Sequence, residues 1–465
     1  MQTDNPHPPH KTAFLIVACI TGFLTPFIGS SVNIALPTIG REFNVDAVLL
    51  SWVATSYLLS AAVFLVPFGR IADIHGMKKI FISGLVIYTV SSCLSAVAWS
   101  PAVLIISRVI QGLGGAMIFG TGTALLISAY PLQERGRVLG INIAFVYAGL
   151  SAGPFIGGLL TQYLGWRSIF WVNAVLGLLP IIITLWQIRG EWAHARGEKL
   201  DLPGAIVYGL GLVAIIFGFS ALPDWMGFAA LAAGTAIIFI FVQMELRVEH
   251  PVLNIRLFVD NRVFGFSNLA AFINYAATFG VGFLLSLYLQ YIKQLPPQSA
   301  GLVLVAMPVV QAAFSPLAGR LSDRFEPRLI ASSGMAFTTA GLLLLVFLDS
   351  DTNLWFIIMS LVLLGFGFAL FSSPNTNAVM SSVEKRSLSI ASATLGTMRL
   401  TGQMFSMGIA MLILSIVMGR VQITPEFYLQ FQLSVRYAFI TFTILCFGGI
   451  FASMARGNSR DNGNG

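Results

Sequence analysis

The sequence predicts an all-α protein that crosses a membrane many times. Of its 465 residues, 56% are hydrophobic and only 10% are charged, whereas a soluble domain carries roughly 25% charged residues. The hydrophobic residues form unbroken runs of about 20, the length of a membrane-spanning helix, instead of the alternating segments of about 10 that build a membrane β-barrel. Charged residues gather in short clusters between these runs.

Fourteen hydrophobic runs follow one another along the chain, at residues 13–36, 48–68, 80–99, 102–129, 138–163, 169–188, 203–222, 226–244, 264–290, 299–318, 329–348, 354–379, 389–418 and 437–455. The first eleven residues are polar, and the run after them is too long for a signal-peptide core, so we expect a first span and no cleaved signal. Cys19, Cys93 and Cys446 lie inside predicted spans, so we expect no disulfide framework.

The basic residues predict the orientation of the chain. Of the 26 Lys and Arg residues, 19 fall between spans on one side, five on the other, and two, Arg108 and Arg399, inside spans. Because Lys and Arg accumulate on the cytoplasmic side, we expect both termini in the cytoplasm and the protein in the cell (inner or plasma) membrane. The net charge of +7 is then a topology signal, and no nucleic-acid partner is expected.

Two pairs of similar segments indicate an internal duplication. FGRIADIHGMKK (68–79) corresponds to AGRLSDRFEPRL (318–329), and QERGR at 133 corresponds to VEKRS at 383, both with an offset of 250 residues. Such parallel repeats are typical of transporters whose substrate site lies between the two halves, near the membrane centre. We therefore predict two homologous six-helix halves.

The predicted domains are a cytoplasmic N-terminal tail (1–12), an N-terminal six-helix half (13–188), a linker with two extra transmembrane helices (189–262), a C-terminal six-helix half (263–455) and a cytoplasmic tail (456–465). We expect a monomer in the lipid bilayer that binds a small-molecule substrate.

Several ordered motifs resemble the major facilitator superfamily and, within it, the fourteen-helix drug:proton antiporters, which are multidrug resistance exporters. They are NIALPTIGREF (33–43), GRIADIHGMKK (69–79), RVIQGLGGA (108–116), GLSAGPFIGG (149–158), WRSIFWVN (166–173) and TMRLTGQ (397–403), and the resemblance covers about residues 13–455. It implies the major facilitator fold with two inserted central helices, no bound cofactor, and a proton gradient as the energy source.

The loop between the second and third spans resembles the latch of that family, which holds the two halves together on the cytoplasmic side in one state. Gly69 and Gly76 permit a close helix approach and a tight turn, and Asp73 is placed to favour a helix N-terminus or to pair with Arg70. A basic loop that only sets topology is the alternative. The latch assignment comprises Gly69, Arg70, Asp73, Gly76, Lys78, Gly319, Arg320 and Asp323.

Glycines in the fifth span form a smooth stripe. Gly149, Gly153 and Gly157 recur every four residues, which lets another helix approach closely, and Pro154 is expected to bend the helix. This spacing by itself predicts only that two helices pack closely. The resemblance to an antiporter motif, which also includes Gly158, implies a pliable and leak-tight interface between the halves.

Two arginines lie inside predicted spans. Arg108 shares a helix face with Gln111, and Gln403 follows Arg399 by one turn. A charge at the bilayer centre costs about 2.5–3.5 kcal/mol on insertion scales, so each arginine must face a cavity or a partner. We predict a role in coupling or substrate contact, with hydrogen bonds to backbone carbonyls as the alternative. The predicted coupling and cavity residues are Arg108, Gln111, Asn33, Tyr57, Asn142, Arg399 and Gln403.

The spans hold further polar candidates for a cavity, namely Tyr147, Asn173, Asn274, Tyr275, Tyr288, Gln290, Gln311, Asn375 and Asn377. No acidic residue is assigned to the middle of a span. Members of the family typically carry an aspartate five residues before the position of Asn33, where this chain has Ile28. The countercharge of Arg108 is therefore expected to be a substrate, a loop carboxylate such as Glu42, or the surrounding carbonyls.

These features predict a secondary active exporter of small amphipathic or lipophilic compounds that works by alternating access. Two embedded arginines without an embedded acid favour neutral or anionic substrates. A proton-coupled multidrug antiporter with Asp73 or Glu42 at its mouth, and a transport-inactive membrane sensor on the same fold, are alternatives. We expect no enzyme and no metal site, because GLGG (112–115) lacks the Lys-Ser/Thr of a phosphate-binding loop and no nucleophile–base pair or metal cluster is evident.

Overall fold

The computed structural model describes residues 11–193, 198, 200–248, 251–384 and 388–457, without the side chains of Leu132, Asp323, Leu388 and Ser389. Within these ranges, fourteen helices are long and apolar enough to cross a membrane, and no β-strand occurs. The all-α class and the predicted number of spans are confirmed. Residues 1–10 and 458–465 of the predicted tails lie outside the described residues.

The helices in chain order are α1 (Lys11–Phe43), α2 (Ala47–His75), α3 (Met77–Ala96), α4 (Pro101–Ala129), α5 (Leu132–Leu164), α6 (Arg167–Gln187), α7 (Leu202–Ala221), α8 (Trp225–Glu245), α9 (Ile255–Asp260), α10 (Arg262–Leu287), α11 (Pro297–Leu304), α12 (Ala306–Arg324), α13 (Pro327–Leu345), α14 (Leu354–Ser381), α15 (Leu388–Val417) and α16 (Tyr428–Ala455). A π-helical segment, Tyr288–Ile292, extends α10, and a 3-10 turn, Pro425–Phe427, precedes α16.

Several helices begin at side chains that cap their first amides. Asp46 accepts a hydrogen bond from the amide of Leu49 at 2.8 Å at the start of α2, and Ser100 precedes Pro101 at the start of α4. Such caps satisfy amides that have no partner within the helix. The interruption between α11 and α12 and the short helix α9 were not predicted, since hydrophobic runs reveal neither a local break nor a six-residue helix.

Equivalent helices pack in the same way in the two halves. In the N-terminal bundle (α1–α6), α1 packs on α5 and α6, while α4 packs on α2 and α3; in the C-terminal bundle (α10–α16), α10 packs on α15 and α16, while α14 packs on α12 and α13. The repeated packing agrees with the duplication predicted from the two sequence segments. The linker helices α7 and α8 pack on each other, and α7 also contacts α2 and α15.

The two bundles meet through two symmetry-related helix pairs. Helix α2 packs on α15, and α5 packs on α11 and α12. We call the membrane side where α1 ends, at Phe43, the distal side, and the side where α1 begins, at Lys11, the proximal side. Helices α1 and α10 also touch, and their contacts close the distal side, as described below.

Candidate functional site

Arg108 lies inside the N-terminal bundle and is only 1% exposed. Its Nε donates a hydrogen bond to the carbonyl oxygen of Val53 at 3.1 Å, and its Nη1 donates to Oε1 of Gln111. The guanidinium carbon lies 4.5 Å from the ring centroid of Tyr57, within the range of a cation–π interaction. The bond to Val53 agrees with the alternative in which Arg108 is held by backbone carbonyls. A role of Arg108 in coupling stays a prediction.

Hydrogen bonds extend from Arg108 across the bundle. Gln111 donates to the hydroxyl of Ser92 at 2.7 Å, and Asn173 donates to the same hydroxyl at 2.9 Å. The hydroxyl of Tyr88 donates to the carbonyl of Leu24 at 3.3 Å. All these side chains are buried, so the network joins five helices of one bundle and favours their motion as one body.

Glu42 does not serve as the countercharge of Arg108, and that expectation was wrong. Its Oε1 forms an ion pair with Nη1 of Arg167 at 2.7 Å, and its Oε2 accepts a hydrogen bond from Nε1 of Trp166 at 2.7 Å. Glu42 stands near the distal end of α1, where α5 turns into α6, and this local pairing fastens that corner of the bundle.

Arg399 occupies a different environment, on α15 of the C-terminal bundle. Its Nη2 donates to the hydroxyl of Thr376 at 2.6 Å, and its guanidinium carbon lies 5.8 Å from the ring centroid of Tyr275. The side chain is only half-buried. Its buried Nε has no hydrogen-bond partner in the part of the chain that the structure describes.

Arg399 and Gln403 lie on the face of α15 that is turned toward the other bundle. Gly396, one turn earlier on that face, is so close to α2 that a Cβ placed on it would lie 3.8 Å from Cδ2 of Leu65. Arg399 and Gln403 therefore lie on the side of α15 that meets α2 of the other bundle.

Three side chains of α10 and its π-helical extension donate hydrogen bonds to main-chain carbonyls of α1. We call this set the distal seal; it comprises Ser286 to Asn33 at 2.7 Å, Gln290 to Ile34 at 2.9 Å, and Tyr291 to Pro37 at 3.3 Å. The seal joins the two bundles near the distal end of α1. Sequence patterns placed Gln290 in a cavity, but a pattern within one helix cannot reveal a partner 256 residues away.

The glycine stripe of α5 packs within its own bundle. A Cβ on Gly149, Gly153 or Gly157 would collide with Phe23, Ser30 or Ser31 of α1. The expected interface between the halves therefore does not form at these three glycines. It forms on the neighbouring face, where a Cβ on Gly158 would lie 3.0 Å from Cα of Gln298 and where Pro154 faces Gly301.

The predicted latch loop is held by the segment that follows α6. Gly76 has a φ angle of +119°, and a Cβ there would lie 2.6 Å from Oε1 of Glu191, which accepts a hydrogen bond from the amide of Lys78 at 2.8 Å. Arg70 forms an ion pair with Glu198, which belongs to the linker. Glycine is required at Gly76 by both its conformation and its contact.

The matching latch segment on α12 is only partly described. Gly319 is half-buried and Arg320 is exposed, whereas the side chain of Asp323 lies outside the described residues. The action of both segments as a latch stays a prediction.

The other predicted cavity residues take separate places. Asn142 donates to the carbonyl of Ala18 at 2.7 Å and so joins α5 to α1 within one bundle. Asn33 is 8% exposed, and its Oδ1 lacks a partner among the described residues. Asn274 is fully buried, with neither atom of its amide paired in the described ranges. The Asn and Gln residues predicted to line a cavity therefore lie at separate positions between helices and do not form one site.

Two buried charged residues escape the sequence patterns. Arg456, 1% exposed, donates to Oδ1 of Asn375 at 3.0 Å, although the sequence placed it in a terminal tail. Glu245 is 2% exposed, although it falls just beyond a predicted span. Both stand at the end of a hydrophobic run, where composition alone does not separate a buried charge from an exposed one.

Comparison with known proteins supports the assignment of fold and family. The sequence model described as Major Facilitator Superfamily matches residues 18–258 and 268–463. The chain is 30% identical to the riboflavin transporter RibZ of Clostridioides difficile, over 84% of this chain and 85% of that protein. It is 31% identical to the cephamycin export protein CmcT of Amycolatopsis lactamdurans, over 86% and 84%.

A solved structure has the same fold. It is a bacterial homologue of the human lysosomal transporter Spinster in an inward-facing, unoccupied conformation, with a TM-score of 0.72 at 15% identity and 97% coverage of both chains.

Proposed function

This chain belongs to the major facilitator superfamily and is a multi-pass membrane transporter, and on that premise we propose that it exports a small amphipathic compound, neutral or anionic, by alternating access. The similarity to the cephamycin export protein CmcT supports export, and the similarity to the riboflavin transporter RibZ supports an organic substrate. The predicted coupling residues, the latch and the domain limits remain parts of this proposal.

The observation that carries the substrate preference is the position of Arg399. Arg399 is half-buried on the face of α15 turned toward the other bundle, and its guanidinium contacts the Thr376 hydroxyl and the Tyr275 ring, which are neutral groups. A guanidinium remains charged and presents several donors. A carboxylate or another anionic group of a substrate would supply the missing acceptor, while a cation would be repelled.

The closed distal seal supports the direction of entry. With the positive-inside orientation, the proximal side is cytoplasmic and both termini lie there. The structure then corresponds to a state whose external side is closed by contacts between α1 and α10. In this state a substrate would exchange with the cytoplasm; because importers pass through the same state, the direction of transport is proposed from the similarity to the export protein CmcT.

Energy would come from a proton gradient across the plasma membrane. The transporter would act as a monomer, and it would need no cofactor, no enzymatic step and no nucleic-acid partner. In this proposal Arg108 keeps the N-terminal bundle rigid while the bundles rotate. Pro154 and Gly158, which face the C-terminal bundle, would form the pliable and leak-tight interface between the halves that the antiporter motif implies.

Transport by the purified protein in lipid vesicles tests the proposal. Fluorescent dyes of similar size, anionic, neutral and cationic, are placed outside vesicles whose protein orientation has been determined, with and without an imposed pH gradient. We expect gradient-dependent movement of anionic or neutral dyes. Movement of the cationic dyes alone, with dissipation of the gradient, would establish a multidrug cation antiporter instead. Failure of every dye to move would favour the inactive sensor.

A further inference from the structure

Glu245, the last residue of α8, is buried in a way that its place in the sequence does not suggest. Only 2% of the residue is exposed. Its Oε2 accepts a hydrogen bond from the amide of Leu253 at 2.8 Å, whereas its Oε1 is buried and has no donor among the described residues. A buried carboxylate oxygen without a donor is costly, so this oxygen requires a partner.

Asp201 faces Glu245 from the start of α7. Its Oδ1 caps that helix by accepting a hydrogen bond from the amide of Gly204 at 3.0 Å, and its Oδ2 is also buried without a donor in the described ranges. The two unpaired oxygens converge above Gly204, because a Cβ there would collide with Asp201 Oδ2 and would lie 2.6 Å from Glu245 Oε1. The two carboxyl groups are therefore close neighbours on the same side of Gly204.

Charged side chains on the neighbouring described elements do not provide a countercharge in the contacts observed. Arg70 pairs with Glu198, Arg256 donates to the carbonyl of Leu246, and Arg399 donates to Thr376. The other charged or titratable groups on these elements are Tyr57, Asp73 and His75 on α2, Tyr208 on α7, and Arg247 and Asp260 beside α8. Glu245 itself accepts a hydrogen bond from the amide of Leu253 and faces the carboxyl group of Asp201.

We propose that Asp201 and Glu245 form a proton-binding site in which one carboxylic acid group donates its O–H to the other carboxylate at neutral pH. Two neighbouring carboxylates whose facing oxygens are buried cannot both ionise without strong repulsion. One proton turns one of the two unpaired acceptors into a donor and leaves a single negative charge, which the amides of Gly204 and Leu253 stabilise. The proton belongs to the pair and not to either residue alone.

The site fastens the proximal base of the linker helices. It connects the first residues of α7 with the last residue of α8 and with the segment that leads to α9. Helix α7 in turn packs on both bundles, with a hydrogen bond of 3.5 Å between Tyr208 and Thr401 of α15 and with Gly209 against Val63 of α2. Loss of the proton would leave two negative charges side by side at the proximal ends of α7 and α8, and their repulsion would weaken the contact between these helices.

Infrared spectroscopy of the full-length protein in lipid nanodiscs tests the site directly, through the C=O stretching band of a protonated carboxyl group. Glu245→Gln and Asp201→Asn keep the shape of each side chain and remove the shared proton. Asp260→Asn is the matched control, because Asp260 is an exposed acid of the same linker. We expect the wild type and the control to show the band at neutral pH, and both pair variants to lack it.

Thermal unfolding provides a second measurement. Between the ordinary carboxyl pKa of about 4 and the pH at which the folded pair loses its proton, the folded protein binds about one proton more than the unfolded chain, so the unfolding temperature of the wild type should fall as the pH rises through this range. That fall should be reduced in Glu245→Gln. A wild type without the carboxyl band would overturn the proposal, and so would a band that persists in both pair variants. Stabilisation by added sodium or magnesium ions, in place of the band, would reveal a cation site and would also overturn it.

Discussion

The hydroxyl group of Ser286 lies 2.7 Å from the main-chain carbonyl oxygen of Asn33 and donates a hydrogen bond that crosses from one bundle to the other. The two residues belong to α10 and α1, which are the first helices of their respective bundles. The closed distal side therefore depends on the two helices that the internal duplication makes equivalent.

Substitution of Gly158 should open the distal side. A Cβ at this position would lie 3.0 Å from Cα of Gln298 and 2.6 Å from the carbonyl oxygen of Pro297, and backbone atoms cannot move aside as a side chain can. We expect Gly158→Val to shift the population toward the distally open state. The reporter is a cysteine at position 33 (Asn33→Cys) in a protein that lacks the three native cysteines. A membrane-impermeant maleimide added outside should label this cysteine several-fold faster when Gly158→Val is also present than when it is absent. Gly140→Val on the same helix, with open space around it, should leave labelling unchanged, and equal rates in both would contradict the prediction.

Arg108→Gln should destabilise the N-terminal bundle. The variant leaves Oε1 of Gln111 without its charged donor in a buried position, at a cost of about 2 kcal/mol. Arg108→Lys should not restore stability, because an ammonium group cannot reproduce the two separated hydrogen bonds of the guanidinium. Thermal unfolding of the purified proteins measures the effect, with Arg420→Gln, an exposed arginine, as control. A folded Arg108→Gln protein that transports normally would remove this residue from the transport mechanism.

Arg399→Gln should weaken binding of anionic substrates and leave the fold intact. Loss of one charge-assisted hydrogen bond is worth about 1.5–3 kcal/mol, which corresponds to a 10- to 100-fold higher KM. Arg399→Lys should restore part of the affinity because it keeps the charge. Dye transport in vesicles gives the KM values, and neutral dyes serve as the internal control. An equal loss for neutral and anionic dyes would show that Arg399 acts on the fold or the transport cycle instead.

Acidification should loosen the distal loop around Asp349. The Thr352 hydroxyl, the Asp351 amide and the nearby Lys293 hold the pKa of the Asp349 carboxyl below its ordinary value. The ionised group thus contributes stability above the ordinary carboxyl pKa, and this contribution disappears as the pH falls below about 4. Asp349→Asn should lower the unfolding temperature at neutral pH and reduce its dependence on acid. Asp351→Asn is the control, and the prediction is wrong if both variants respond to acid alike.

Arg456→Ala should destabilise the C-terminal bundle. Burial lowers the pKa of Arg456 to about 10, so the guanidinium stays charged at neutral pH. It donates to Oδ1 of Asn375 at 3.0 Å and to the hydroxyl of Ser453 at 2.9 Å. Removing it leaves buried acceptors unpaired, and we expect a loss of about 3 kcal/mol. Thermal unfolding should show this loss, whereas Arg324→Ala, at an exposed position, should unfold like the wild type.

Composition and the spacing of hydrophobic runs were sufficient to predict the class of fold and the number of spans. The offset between Gly69 and Gly319 also predicted the duplication, because equivalent helices of two bundles must carry equivalent contacts. The family was evident from ordered motifs along nearly the whole chain. These properties depend on long stretches of sequence, over which many weak preferences add up.

The site was harder to predict, because the partner of a side chain is determined by tertiary packing. Arg108 and Arg399 both appear as cations in apolar helices, yet the first is bound inside one bundle and the second faces the space between bundles. The glycine stripe of α5 predicted a close helix approach, and the approaching helix is α1 of the same bundle. Glu245 ended a hydrophobic run and resembled an interfacial charge until α7 brought Asp201 beside it.

The acceptors of the distal seal are the main-chain carbonyls of Asn33, Ile34 and Pro37. Every amino acid carries such a carbonyl, so the α1 side of this gate does not depend on which side chains α1 displays. Mutations along that helix can alter the surface offered to a transported molecule without removing the gate's acceptors. Closure of the distal side and the display of side chains along α1 therefore depend on different atoms of the same residues.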